Sequence, residues 1–138
     1  MFFTQSLTFT LRNKNAIRIW LLQLIATEKY QFHQVNFIFC NDKYLHKINL
    51  QYLKHNNYTD IITFDNSNTN RIVEGDIFIS IQRVKENAKT FNIPFRNELL
   101  RVMAHGILHL CGYKDKTPKA KLVMTIKEDY YLSLRSFW

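Results

Sequence analysis

A chain of 138 residues with 46% hydrophobic residues, 11 Phe and 7 Tyr but only 3 Gly and 2 Pro has the size and composition of one compact domain, 1–138, and not of a disordered or multidomain protein. Nineteen Lys and Arg stand against 11 Asp and Glu, a formal charge of +8, which suits either a polyanionic partner or a merely soluble surface. No apolar run approaches the roughly 20 residues of a membrane span. Met1-Phe2-Phe3-Thr4-Gln5-Ser6 has no secretory-signal pattern, and Cys40 and Cys111 read as reduced thiols, so a cytoplasmic protein is expected.

In chain order, Leu7, Phe9 and Leu11 alternate with Ser6, Thr8 and Thr10, which predicts a first strand. Asn13 then caps a helix whose apolar stripe is Ile17, Trp20, Leu21, Leu24 and Ile25. Val35, Phe37 and Phe39 predict a second strand. Asn41 or Asp42 opens a second helix with Leu45, Ile48 and Tyr52 on its core side. Ile61 to Phe64 and Ile72 to Ile81 form a hairpin around the polar loop Asp65–Arg71, with Gly75 marking a bulge or a close backbone approach.

Ser80 caps a short helix to about Phe91. Pro94 sits at the first position of the next helix, 94–111, whose apolar body is Phe95 to Leu110 and which Gly112 stops in a left-handed conformation. Thr117-Pro118 starts a last helix with Leu122, Ile126 and Tyr130 inward. The order βαβαββααα predicts an α+β domain, a small mixed four-stranded sheet packed with about five helices.

The chemistry concentrates in Ala104-His105-Gly106-Ile107-Leu108-His109-Leu110-Cys111-Gly112-Tyr113-Lys114-Asp115. Four residues turn a helix about 400°, so His105 and His109 share one face and both can reach one ion. Gly112 lets the chain fold back, and Asp115 approaches the same ion as a hard anionic ligand. Two histidines at this spacing also occur as hydrogen-bonded core residues; the glycine turn and the acid beyond it favour the metal. Three protein ligands leave a fourth position for water, the arrangement of a catalytic zinc. Cys111 points away from the two histidines.

Such a site suits hydrolysis. A zinc peptidase of the H-E-x-x-H type has a Glu base after its first His, where this chain has Gly106. With that base missing and the surface basic, a phosphodiester is the expected substrate. No catalytic residue is assigned beyond the metal-bound water, and Asp60, Asp76 and Glu98 are unranked candidates for an acid near the metal. Lys114, Lys116, Lys119 and Lys121 gather beside the site as candidates for binding a polyanion, and the step to RNA rather than DNA does not follow from charge or spacing.

The run His105-Gly106-x-Leu108-His109-Leu110-x-Gly112-Tyr113 resembles the signature of the YbeY family of bacterial metallo-endoribonucleases. Ile48-Asn49 with Tyr52, Thr59-Asp60-Ile61-Ile62-Thr63-Phe64 and Gly75-Asp76-Ile77-x-Ile79-Ser80 agree in order, so the likeness spans about residues 45 to 125. It implies a small mixed sheet with helices and one Zn²⁺ per chain. It also implies cleavage of single-stranded RNA in the 3′-end maturation of small-subunit ribosomal RNA and in ribosome quality control. The partners would be precursor ribosomal RNA and the small ribosomal subunit, with the protein itself a monomer.

Two positions depart from the family pattern. Asp115 stands where the family has a third His. Leu53 stands where it has an Arg, one residue after the Tyr matched by Tyr52, and Lys54 and His55 are the nearest cations that could replace it. Besides the nuclease, two other readings stay open. One is a non-catalytic RNA-binding ribosome-assembly factor with a structural metal; the other is a metal-dependent hydrolase of a small substrate.

Overall fold

The computed structural model describes residues 1–137. Its one sheet contains β1 (Phe2–Gln5), β2 (Gln31–Cys40), β3 (Ile61–Asp65) and β4 (Ile72–Ser80) in the order β1-β2-β4-β3. β2 runs parallel to both β1 and β4, and β3 pairs antiparallel to β4 through the expected hairpin. The helices are α1 (Lys14–Thr27), α2 (Asp42–Ile48), α3 (Ile81–Phe91), α4 (Phe95–Leu110) and α5 (Pro118–Ser133). A π-helical turn, Asn49–Leu53, extends α2.

Both faces of the sheet are covered. Val35, Phe37, Phe39, Val73, Ile77 and Ile79 meet the apolar faces of α1, α3 and α4 in the main core. On the other face Leu45 and Ile48 of α2 cluster with Cys40 and Ile62. Local chemistry sets the helix starts: Asn41, Ser80 and Thr117 each accept a bond from the backbone N–H three residues on. Pro94 is the residue before α4 and not its first, so the helix runs 95–110 where 94–111 was expected.

Three expectations in the first half of the chain are corrected. The first strand is Phe2–Gln5, not the Leu7–Leu11 alternation. Leu11 is buried, Leu7 and Phe9 pack on the core, and Phe9 stands edge-on to Phe39, so this alternation serves packing and not strand pairing. Asn13 occupies the cap position of α1 in the left-handed region, and its side chain makes no capping bond. Tyr52 is exposed, because the wider π-helical turn carries it off the stripe of Leu45 and Ile48.

The rotation of α5 also differs. Leu122, Ile126 and Tyr130 are 61%, 57% and 48% exposed, while Met124, Glu128 and Tyr131 are buried. The helix is apolar on both sides, and tertiary contacts choose between them. The Trp20 indole donates to the Tyr131 carbonyl at 2.8 Å, and Glu128 pairs with Arg101 and His105.

Gly75 is a close approach and not a bulge. A Cβ there would collide with the Phe64 carbonyl oxygen and stand 2.9 Å from Leu110; the irregular register lies instead in β2, between Phe32 and Gln34. Gly106 has a similar use. A Cβ on it would stand 3.0 Å from both Ile61 and Ile77, so its absence lets α4 lie tightly on β3 and β4.

Candidate metal centre

α4 carries His105 and His109 on one face, one turn apart. The helix ends at Leu110, and Gly112 follows with φ +94°, a conformation that other residues avoid. The chain turns back and brings Asp115 over the two imidazoles. His105 Nε2 lies 2.9 Å from His109 Nε2, and Asp115 Oδ2 lies 3.2 and 3.3 Å from the two. Ligands at 2.0–2.1 Å around a tetrahedral ion stand about 3.3 Å apart, so this triangle has the dimensions of three zinc ligands. The three side chains are 20%, 25% and 36% exposed, so each is partly accessible to solvent.

The far nitrogens of both rings have acceptors. His109 Nδ1 is 2.9 Å from the Tyr113 carbonyl, and His105 Nδ1 is 2.6 Å from Glu128 Oε2. An imidazole that donates through Nδ1 presents its lone pair at Nε2, here the atom facing the triangle. The donor chemistry therefore fits a divalent cation.

The two rings respond differently to their surroundings. Burial pushes the His105 imidazole down, but the hydrogen bond and charge of Glu128 outweigh it and hold the ring above its ordinary value. His109 is lowered, by burial first and then by the neighbouring His105.

Among the three acids that sequence could not rank, Asp60 and Glu98 are the ones in electrostatic reach of His105. Burial raises both carboxyls, Glu98 to about 7, and Glu98 Oε1 has no hydrogen-bond partner among the described residues. Asp76 is tied instead to Asn36 and Asn66. Glu128 was missed altogether. Its one sequence signal is a carboxylate within the Met124, Glu128, Tyr131 stripe at helical spacing.

Lys114 and Lys116 flank Asp115, and Lys119 and Lys121 stand on the first turns of α5; all four are exposed. Lys54 and His55 are exposed at the start of the loop that ends at Asp60. Leu53 is 40% exposed, so it is not a core residue. Cys40 and Cys111 are buried free thiols, each pushed up to about 12, by burial first, and neither joins the triangle. Among the described residues no helix is long and apolar enough to cross a membrane.

The model of the family described as endoribonuclease YbeY matches residues 4–135. Proteins named endoribonuclease YbeY from Cytophaga hutchinsonii and Flavobacterium johnsoniae are 52% and 48% identical to this chain. The alignments cover 99% and 96% of it, and 95% and 94% of those proteins. The solution structure of a Thermotoga maritima protein superposes with a TM-score of 0.66 at 28% identity, covering 96% of this chain and 87% of that one. The family model, the relatives matched over nearly their whole length and the shared fold agree, and the chain belongs to the endoribonuclease YbeY family.

Proposed function

We propose that this chain is a zinc-dependent endoribonuclease that cuts single-stranded RNA in the cytoplasm, acting in 3′-end maturation of small-subunit ribosomal RNA and in ribosome quality control. His105, His109 and Asp115 hold one ion per chain. The observation that carries the reading is the triangle of two Nε2 atoms and one carboxylate oxygen with edges of 2.9, 3.2 and 3.3 Å, all three side chains partly exposed. When bound, such an ion supplies the Lewis acidity that activates water and polarises a phosphoryl oxygen. The protein's part is to orient the rings through Glu128 and the Tyr113 carbonyl and to leave room for substrate. Lys114, Lys116, Lys119 and Lys121, exposed and close to Asp115 in sequence, contribute positive charge to which a phosphate backbone is attracted without regard to sequence.

One observation favours the non-catalytic reading: exposed Leu53 offers no charge to a phosphate. Single-turnover cleavage of a labelled single-stranded RNA, with and without chelator, separates the two. Chelator-sensitive cleavage restored by zinc supports the nuclease. RNA binding without cleavage under any divalent metal supports the assembly factor.

A further inference from the structure

We propose that Glu128 is the positioning residue that presents His105 to the metal, and that Arg101 holds Glu128 in place. The inference rests on the metal-centre reading above and adds to it a second helix on which the site depends.

Glu128 lies on α5 with its side chain only 8% exposed, and its two oxygens have separate duties. Oε1 accepts from Arg101 Nη1 at 2.9 Å; Oε2 faces His105 Nδ1 at 2.6 Å. A guanidinium can only donate, so Oε1 is engaged as its acceptor and Oε2 is left to face the imidazole. That carboxylate in turn favours a proton on His105 Nδ1 and leaves the Nε2 lone pair directed at His109 and Asp115. The second Arg101 nitrogen pairs with Asp129, so two neighbouring carboxylates on α5 grip one guanidinium on α4. Ring orientation and tautomer are thereby set together.

The two histidines differ in what supports them. His109 is oriented by the backbone carbonyl of Tyr113, four residues away on the same turn. His105 is oriented by a side chain 23 positions later in sequence. The α4 half of the site is therefore complete only when α5 docks with Glu128 inward. This accounts for an acid in the buried stripe between Met124 and Tyr131.

The test measures zinc affinity by competition with a chromophoric chelator in wild type, Glu128→Gln and Glu128→Asp, with thermal melts of the metal-free proteins as a check on folding. Gln keeps the volume but offers one oxygen to two donors; Asp keeps the charge but is one methylene short. Both should bind zinc about 10–100-fold more weakly than wild type. Long-range ¹H–¹⁵N spectra of metal-free wild type at alkaline pH should show His105 protonated at Nδ1, a measurement that needs no variant. Unchanged zinc affinity in both variants, or a His105 protonated at Nε2, overturns the role of Glu128. Wild type that takes up no metal overturns the metal-centre reading itself.

Discussion

Asp115 Oδ2 stands 3.2 Å from His105 Nε2, although the end of a helix and a glycine turn lie between them in the chain. That distance makes the aspartate a candidate ligand in its own right. Metal content should be about one ion per chain. His105→Ala and His109→Ala should each abolish it, Asp115→Ala should weaken it, and Asp115→His should retain it. Elemental analysis of the purified variants checks this; full occupancy in Asp115→Ala would remove that residue from the site.

Glu98 should make the metal-free protein less stable as pH rises. Burial, then the charge of Asp60, raises its carboxyl from 4.5 to about 7. The unfolded chain releases this proton near 4.5, and the folded chain keeps it until about 7. Folded protein therefore binds more protons in that window, and its stability falls as pH rises through it. Glu98→Gln removes the effect. Its stability advantage over wild type should be absent below pH 4.5, grow up to pH 7 and level off at up to about 3 kcal/mol. Urea melts of chelator-treated proteins from pH 4 to pH 8 (chosen to bracket the window) measure it, and a gap independent of pH refutes it.

Gly75→Ala should destabilise the fold by about 1–3 kcal/mol, because the new methyl meets a backbone carbonyl and not a movable side chain. Gly106→Ala should cost less, since Ile61 and Ile77 can shift by a few tenths of an ångström. Thermal unfolding orders the two, and a more damaging Gly106→Ala would contradict the close-approach reading of Gly75.

Binding to single-stranded RNA should weaken steeply with salt, each phosphate contact adding a slope of about −0.7 in log K against log salt. Neutralising Lys116, Lys119 and Lys121 together should flatten that slope. Equal affinity and slope in the triple variant would make these lysines an ordinary solvated surface.

Leu53→Arg should speed RNA cleavage. An arginine can grip a phosphate through two donors and stabilise charge that develops during reaction, and leucine can do neither. Because Leu53 is partly exposed, the longer side chain has somewhere to go. Lys54→Ala or His55→Ala should slow wild-type cleavage if either cation substitutes for the missing arginine. Single-turnover assays compare all four proteins, and no cleavage by wild type or by Leu53→Arg under any divalent metal would sink the nuclease reading and favour the RNA-binding one.

Short-range physics was legible before any coordinates. The four-residue spacing of His105 and His109, the turn at Gly112, the cap at Ser80, the helix start at Thr117-Pro118 and the α1 stripe each follow from helix geometry over a few residues. So did the pairing of β3 with β4, which a short polar loop connects. The place of β1 was not legible, because alternation at Leu7, Phe9 and Leu11 reports contact with the core and not a partner strand. The inward face of α5 was not legible either, since its apolar residues lie on both sides and periodicity leaves the rotation open. Only the packed structure decides it. Trp20 and Arg101, both far away in sequence, hold Tyr131 and Glu128, and that rotation brings an acid to His105 which spacing alone could not have found.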